Sequence, residues 1–140
     1  MLYAHSSDAR TFFGRTIQLP VQKIAPGSGQ ILIDFVLPKS HEFAKNAPST
    51  IFIRTKHPDV LKTPQTAPEP LHPEKLPHVV TYLANPGKTI VSMDMRVYFC
   101  DEVSKICLFD FIRLKFPVQV QTGAPSKILL SIPLKSKTNA

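Results

Sequence analysis

Apolar residues in this chain recur at every second position, in short runs separated by proline, glycine and asparagine. That period puts successive side chains on opposite faces of an extended backbone, so it predicts strands. Ile17, Leu19 and Val21 make the first run, read as three side chains on one face. Ile31, Ile33, Phe35 and Leu37 follow, with Asp34 turned the other way. Ile51 and Ile53 lie in STIFIRT, and HVVTYLA (78–84) is a shorter run. TIVSMDMRVYFC sends Val91, Met93, Met95, Val97 and Phe99 inward and Ser92, Asp94, Arg96 and Tyr98 outward. FIRLKFPVQV then sends Ile112, Leu114, Phe116, Val118 and Val120 inward. KILLSIPL closes the series as a last strand or edge segment, because Pro133 has no donor for a central ladder. No stretch carries a helical period.

Turn signals divide these runs: APGSG at 25–29, LPKSHEFAKNAPS at 37–49, NPG at 85–87 and TGAPS at 122–126. About seven short strands so punctuated predict an all-β fold, an immunoglobulin-like antiparallel β-sandwich. The exception is the stretch from Lys56 to His78, which holds six prolines. Proline fixes φ and removes the backbone donor, so this stretch is expected as a long, extended or mobile surface loop inserted in the sandwich. A ligand for proline-recognition domains would need a PxxP core flanked by arginine, and none is present. The expected organisation is a flexible segment at 1–14, one β-sandwich domain at 15–135 with the proline-rich loop at 56–78, and a flexible tail at 136–140.

Length and composition add bounds. The 140 residues suit a single core, and 43% hydrophobic with 19% charged is a globular balance. No apolar run is long enough for a membrane-spanning helix, and no membrane partner is expected. The start, MLYAHSSDAR, lacks the features of a secretory signal and would equally suit a piece of a longer chain, so localisation stays open. The net charge of +7 comes from 17 basic and 10 acidic residues. The basic residues are scattered, with Lys127, Lys135 and Lys137 the nearest to a cluster. Nucleic-acid binding needs basic groups gathered on one face, and a solvated surface is the preferred reading.

Candidate chemistry concentrates in YFCDEVSKIC, which holds the chain's two cysteines, Cys100 and Cys107. Parity pairs the flanking strands: if apolar faces match, one register sets Val91 against Phe116, Met93 against Leu114 and Met95 against Ile112. The same register sets Asp94 against Arg113, an opposite-charge pair on the outer face. It carries on to Tyr98 against Phe109 and Cys100 against Cys107, with Cα atoms about 4.5–5.5 Å apart, a span a disulfide accepts. A slip of two residues also keeps parity. Closing so short a loop would add about 2 kcal/mol at most, which suits reversible chemistry better than stabilisation. A static hairpin disulfide and two inert reduced thiols remain alternatives.

A zinc site would need two more ligands, and His5, His41, His57, His72 and His78 show no ligand spacing. Met93 and Met95 read as core rather than a copper pair. No metal and no cofactor is expected, no catalytic motif stands out, and no independent enzymatic activity is expected. Lys105 is close to the cysteines but Asp101 and Glu102 oppose it, so nothing lowers a thiol pKa decisively. Tyr98, Phe109 and Arg96 share the cysteines' face and are candidates for shielding the sulfurs or docking a partner.

MRVYFCDEVSKICLFDFIRLKFPVQV resembles the carboxy-terminal β-domain of the NHL-repeat-containing thioredoxin-like proteins. The matching pattern is a strand ending in Tyr98, Phe99 and Cys100, a short polar loop, Cys107, and a second strand reaching Pro117. GSGQILIDFVLPKSHEFAKNAPSTIFI is similar to the same domain upstream, so the resemblance spans 30–120, with the proline-rich loop as an unusual insertion. More distantly, the cysteine hairpin resembles the immunoglobulin-like amino-terminal domain of the bacterial transmembrane thiol:disulfide reductase. The resemblance implies an accessory module whose Cys100 and Cys107 undergo thiol–disulfide exchange with a thioredoxin-like or NHL-propeller partner, one normally fused in the same chain. The CxxC motif of the family's thioredoxin part is absent here.

Overall fold

The strict alternation of 91–99 and 112–120 builds the two longest strands, β9 (Gly87–Asp101) and β10 (Cys107–Val120). Their antiparallel ladder follows the parity register: Val91 faces Phe116, Met95 faces Ile112 and Asp94 faces Arg113. The computed structural model describes residues 14–65 and 67–135. Of the ends expected as flexible, 1–14 and 136–140, all but Gly14 lie outside the described residues.

Nine further strands complete two sheets: β1 (Arg15–Gln18), β2 (Gln22–Ile24), β3 (Gly27–Val36), β4 (His41–Phe43), β5 (Thr50–Thr55), β6 (Leu61–Lys62), β7 (Glu69–Pro70), β8 (His78–Ala84) and β11 (Lys127–Pro133). The first sheet has seven strands in the order β1-β10-β9-β5-β7, with β2 following β1 along β10 and β4 preceding β5 along β9. The second has four, in the order β11-β3-β8-β6. With β10-β9-β5 opposite β3-β8-β6, the protein reproduces the G-F-C and B-E-D strands of immunoglobulin domains in chain order. The all-β sandwich is thus as the sequence pattern predicts.

The departures are at the chain ends and in the proline-rich stretch. β1 and β2 run parallel to β10, and β11 runs parallel to β3. These sheets are therefore mixed rather than purely antiparallel, because neither end is tied to its neighbour by a hairpin. Between β1 and β2 the register against β10 slips: Gln18 faces Lys115, but Gln22 faces Val118. Four steps on one strand match three on the other, a bulge at Pro20–Val21 that reverses side-chain parity. Val21, expected inward, is therefore 48% exposed, and Ile24 takes the core position at 0%.

The 56–78 stretch does connect β5 to β8 at length, but it is more ordered than a mobile loop. It supplies an edge strand to each sheet and sends Leu61 and Leu71 into the core. Gln65 stands in for a neighbouring strand: its Oε1 accepts the Ile53 N–H at 2.7 Å, and its Nε2 donates to the Ile51 carbonyl at 3.4 Å. An edge that proline could not pair is thereby closed.

Between the sheets lies one apolar core, including Phe99, Phe116, Ile31, Ile33, Ile51, Met93, Met95, Ile112 and Leu114, all at most 1% exposed. Asp110 interrupts it at an inward position of β10 with 0% exposure. Arg15 answers it with Nε at 3.1 Å and Nη2 at 2.8 Å, and the Lys135 N–H donates to Oδ2 at 2.6 Å. The same Arg15 Nη2 also reaches the Pro133 carbonyl. One carboxylate therefore ties together the start of β1, the first rungs of the ladder on β10 and the chain just past the end of β11.

His78, at the start of β8, is mostly buried, and its Nε2 makes no hydrogen bond among the described residues. Glu69 Oε1 is 3.9 Å away, too far to accept. Burial holds its pKa below the usual 6.5, outweighing Glu69, which raises it, while His72 lowers it further. A histidine kept neutral in the fold binds fewer protons than in the unfolded chain, so stability rises with pH in that window. Its contribution is full above about 6.5 and is lost as pH falls through the lowered folded value. Urea denaturation at stepped pH should show this loss below pH ~6.5 and a flatter profile for His78→Gln. An unchanged slope in the variant would remove His78 as the cause.

Candidate functional site: the cysteine hairpin

The register that pairs the core residues continues to the tip of β9 and β10, where Tyr98 faces Phe109 and Cys100 faces Cys107. The cysteines form a disulfide with S–S 2.04 Å and Cα atoms 3.9 Å apart. That is closer than the sequence pattern suggests. The Asp101 N–H donates to the Ile106 carbonyl at 2.9 Å one pair further on, so 100 and 107 occupy a narrow, non-hydrogen-bonded position. Cys107 is exposed and Cys100 is partly covered.

The loop between them is organised by Asp101. Its Oδ1 accepts the Val103 N–H at 2.8 Å and the Ser104 N–H at 2.9 Å, while its carbonyl accepts the Lys105 N–H at 2.9 Å. The backbone hydrogen bonds from Ser104 and Val103, with a smaller contribution from His41, hold the Asp101 carboxyl below its ordinary pKa. Lys105 turns the chain with φ 62°. On the far side of β9, β4 places Glu42 beside Cys100, and the Glu102 N–H donates to the Ser40 carbonyl at 2.9 Å. Ser49 Oγ accepts the Tyr98 N–H at 3.0 Å where β4 gives way to β5. A covalent bond, an aspartate cap and a flanking strand thus hold the tip in place.

Charge around the sulfurs is mixed. Lys105 Nζ lies 3.6 Å from Glu42 Oε2, and Asp101 and Glu102 border the same turn. No cationic field dominates that would make either cysteine a strongly activated thiolate. Among the described residues no group of three His, Cys, Asp or Glu could hold a metal ion. None of their helices is long and apolar enough to cross a membrane.

Tyr98, Phe109 and Arg96 lie on the outer face, as parity requires. The Tyr98 and Phe109 rings are 5.9 Å apart and tilted by 40°. The Arg96 guanidinium sits 4.7 Å above the Phe111 ring. Next along the face, Asp94 receives the Arg113 Nε at 2.8 Å and the Arg54 Nη2 at 2.9 Å. Arg113 is legible from hairpin parity, whereas Arg54 comes from β5, whose register with β9 no local pattern reveals. Two tip residues escaped sequence reasoning: Val103 is 86% and Ile106 61% exposed, beside Phe109 at 41%. The available signal was two apolar residues in a turn that has nothing to bury them.

No protein-family model matches this chain, and no curated protein matches it in sequence.

Proposed function

We propose that this protein is a non-catalytic accessory β-domain whose Cys100–Cys107 disulfide exchanges with the dithiol of a thioredoxin-like partner. The observation that carries this reading is the bond's position. It joins residues seven apart at an exposed hairpin tip, where Asp101 already shapes the turn. Closing so short a loop stabilises the fold by only about 2 kcal/mol, so breaking the bond leaves a 140-residue core standing. Val103 and Ile106 expose apolar surface on the turn that the disulfide closes, Phe109 adds to it on the cysteines' face, and Tyr98 and Arg96 extend that face. The resemblance of the 98–117 pattern to the NHL-repeat-containing thioredoxin-like proteins supports the same partner class.

The exchange is a pair of displacements. A partner thiolate attacks one hairpin sulfur, forming a mixed disulfide and releasing the other cysteine as a thiolate. The partner's second thiolate then displaces the hairpin sulfur, leaving the partner oxidised and Cys100 and Cys107 reduced. The reverse sequence reoxidises the hairpin. Incubation with a reduced thioredoxin-type dithiol, quenched by alkylation and read by mass, should give partial reduction that follows the dithiol-to-disulfide ratio. A bond untouched by excess dithiol would leave the second reading, a structural interaction module with a static disulfide. The partial cover over Cys100, which β4 flanks through Glu42, favours that second reading, since it leaves less of the bond open to an attacking thiolate.

A further inference from the structure

The outer face of the seven-stranded sheet carries a charge pattern that sequence order conceals. Ladder registers fix its rows: Tyr98 with Phe109, Arg96 with Phe111, Asp94 with Arg113 and Phe52, and Ser92 with Lys115 and Arg54. The outward positions of β5, β9 and β10 along these rows hold Arg54, Arg96, Arg113 and Lys115 against a single acid, Asp94. That acid is already held between Arg113 and Arg54. At the end far from the cysteines, Arg54, Lys56 and Lys115 surround a groove of about 300 Å³, with Ser92 and Ile90 also lining it. Around the disulfide the signs differ, with Glu42, Asp101 and Glu102 beside Lys105. The face is therefore cationic at one end and mixed at the tip. From Cys100 to Ser92 along β9 is about 27 Å at ordinary strand rise.

We propose that this face seats an acidic polypeptide segment of the partner, with its carboxylates in the groove between Arg54, Lys56 and Lys115. The identity of that partner rests on the redox reading of the hairpin; the surface itself does not. Charge complementarity names the occupant, since carboxylates are the groups that forked guanidiniums and lysine ammoniums take on a polypeptide. The aromatic rings favour a polypeptide over a nucleic acid. Phe111 lies under Arg96 and Phe52 lies 5.7 Å from the Arg54 guanidinium, so neither ring offers the open platform on which bases stack.

Fluorescence anisotropy on the full chain tests this with three labelled probes: a short glutamate-rich peptide with interspersed phenylalanine, its lysine-rich counterpart, and oligo-dT. The acidic peptide should bind, weaken with added salt, and lose about tenfold in affinity in Lys56→Glu/Lys115→Glu. The control Lys62→Glu/Lys127→Glu makes the same change in net charge on exposed residues of the other sheet and should change affinity by less than about twofold. Equal loss in both variants would show attraction to net charge alone and overturn the site. So would no binding of the acidic peptide, or tighter binding of oligo-dT. The milder Lys56→Gln/Lys115→Gln should weaken binding in the same direction, guarding against a folding defect. Cys100→Ser/Cys107→Ser should leave the affinity unchanged, so the surface and the exchange chemistry succeed or fail separately.

Discussion

Asp110→Ala is expected to lower the unfolding free energy by about 3 kcal/mol, the lower end of what loss of one partner from a buried ion pair costs. The carboxylate is fully buried, but the side chain of Arg15 is 29% exposed and can recover some hydration when its partner goes. The Lys135 N–H loses its acceptor at the same time. The damage should be spread along the chain, because β1, β10 and the end of β11 all meet at this one group. Asp110→Asn keeps an acceptor for Lys135 and gives up the charge, so it should cost about half as much. Urea midpoints for the two variants check this. A loss below about 1 kcal/mol for Asp110→Ala would mean that the clamp is a weak surface-type pair.

Gly29→Ala should also destabilise strongly, by about 2–3 kcal/mol, through overpacking. A Cβ at this position would run into the Tyr82 ring and the Ser126 carbonyl oxygen. Tyr82 is 3% exposed, and its hydroxyl donates to that same carbonyl at 3.3 Å. The Gln30 N–H also donates to Ser126 O at 2.9 Å, so neither neighbour can retreat without giving up a bond. The glycine is thus required by close approach. In a Tyr82→Leu background the added methyl should cost measurably less, since one of the two obstructions is gone. An equal cost in both backgrounds would rule out the ring as the cause.

What the sequence made legible was local and periodic. Parity alone placed the odd residues from Val91 to Phe99 and the even ones from Ile112 to Val120 inward, and the Asp94–Arg113 match favoured, over a slip of two, the register that opposes Cys100 to Cys107. Pro133 marked its run as a last strand or edge segment, and the structure makes it β11, at the edge of the four-stranded sheet. The features that stayed hidden depend on contacts between distant segments. Val21 changes side because one extra residue is absorbed against β10, which no single strand announces. Asp110 looks like a polar misfit in an apolar period until Arg15 arrives from the other end of the chain. Gln65 reads as one more polar residue among prolines until it is found completing the edge of β5. At the site, both cysteines and their aromatic neighbours were readable. The cationic groove was not, because Arg54 and Lys56 meet Lys115 only through the pairing of β5 with β9 and of β9 with β10.

The central claim is that the Cys100–Cys107 bond opens and closes under physiological thiol chemistry. Equilibrating the full chain in dithiol redox buffers of stepped potential, alkylating the free thiols and weighing the product measures this directly. A reversible two-electron transition on the order of −270 mV, in the range of thioredoxin, is the expected result. A bond still fully oxidised below about −300 mV, or thiols that stay reduced in mild oxidant, would contradict it.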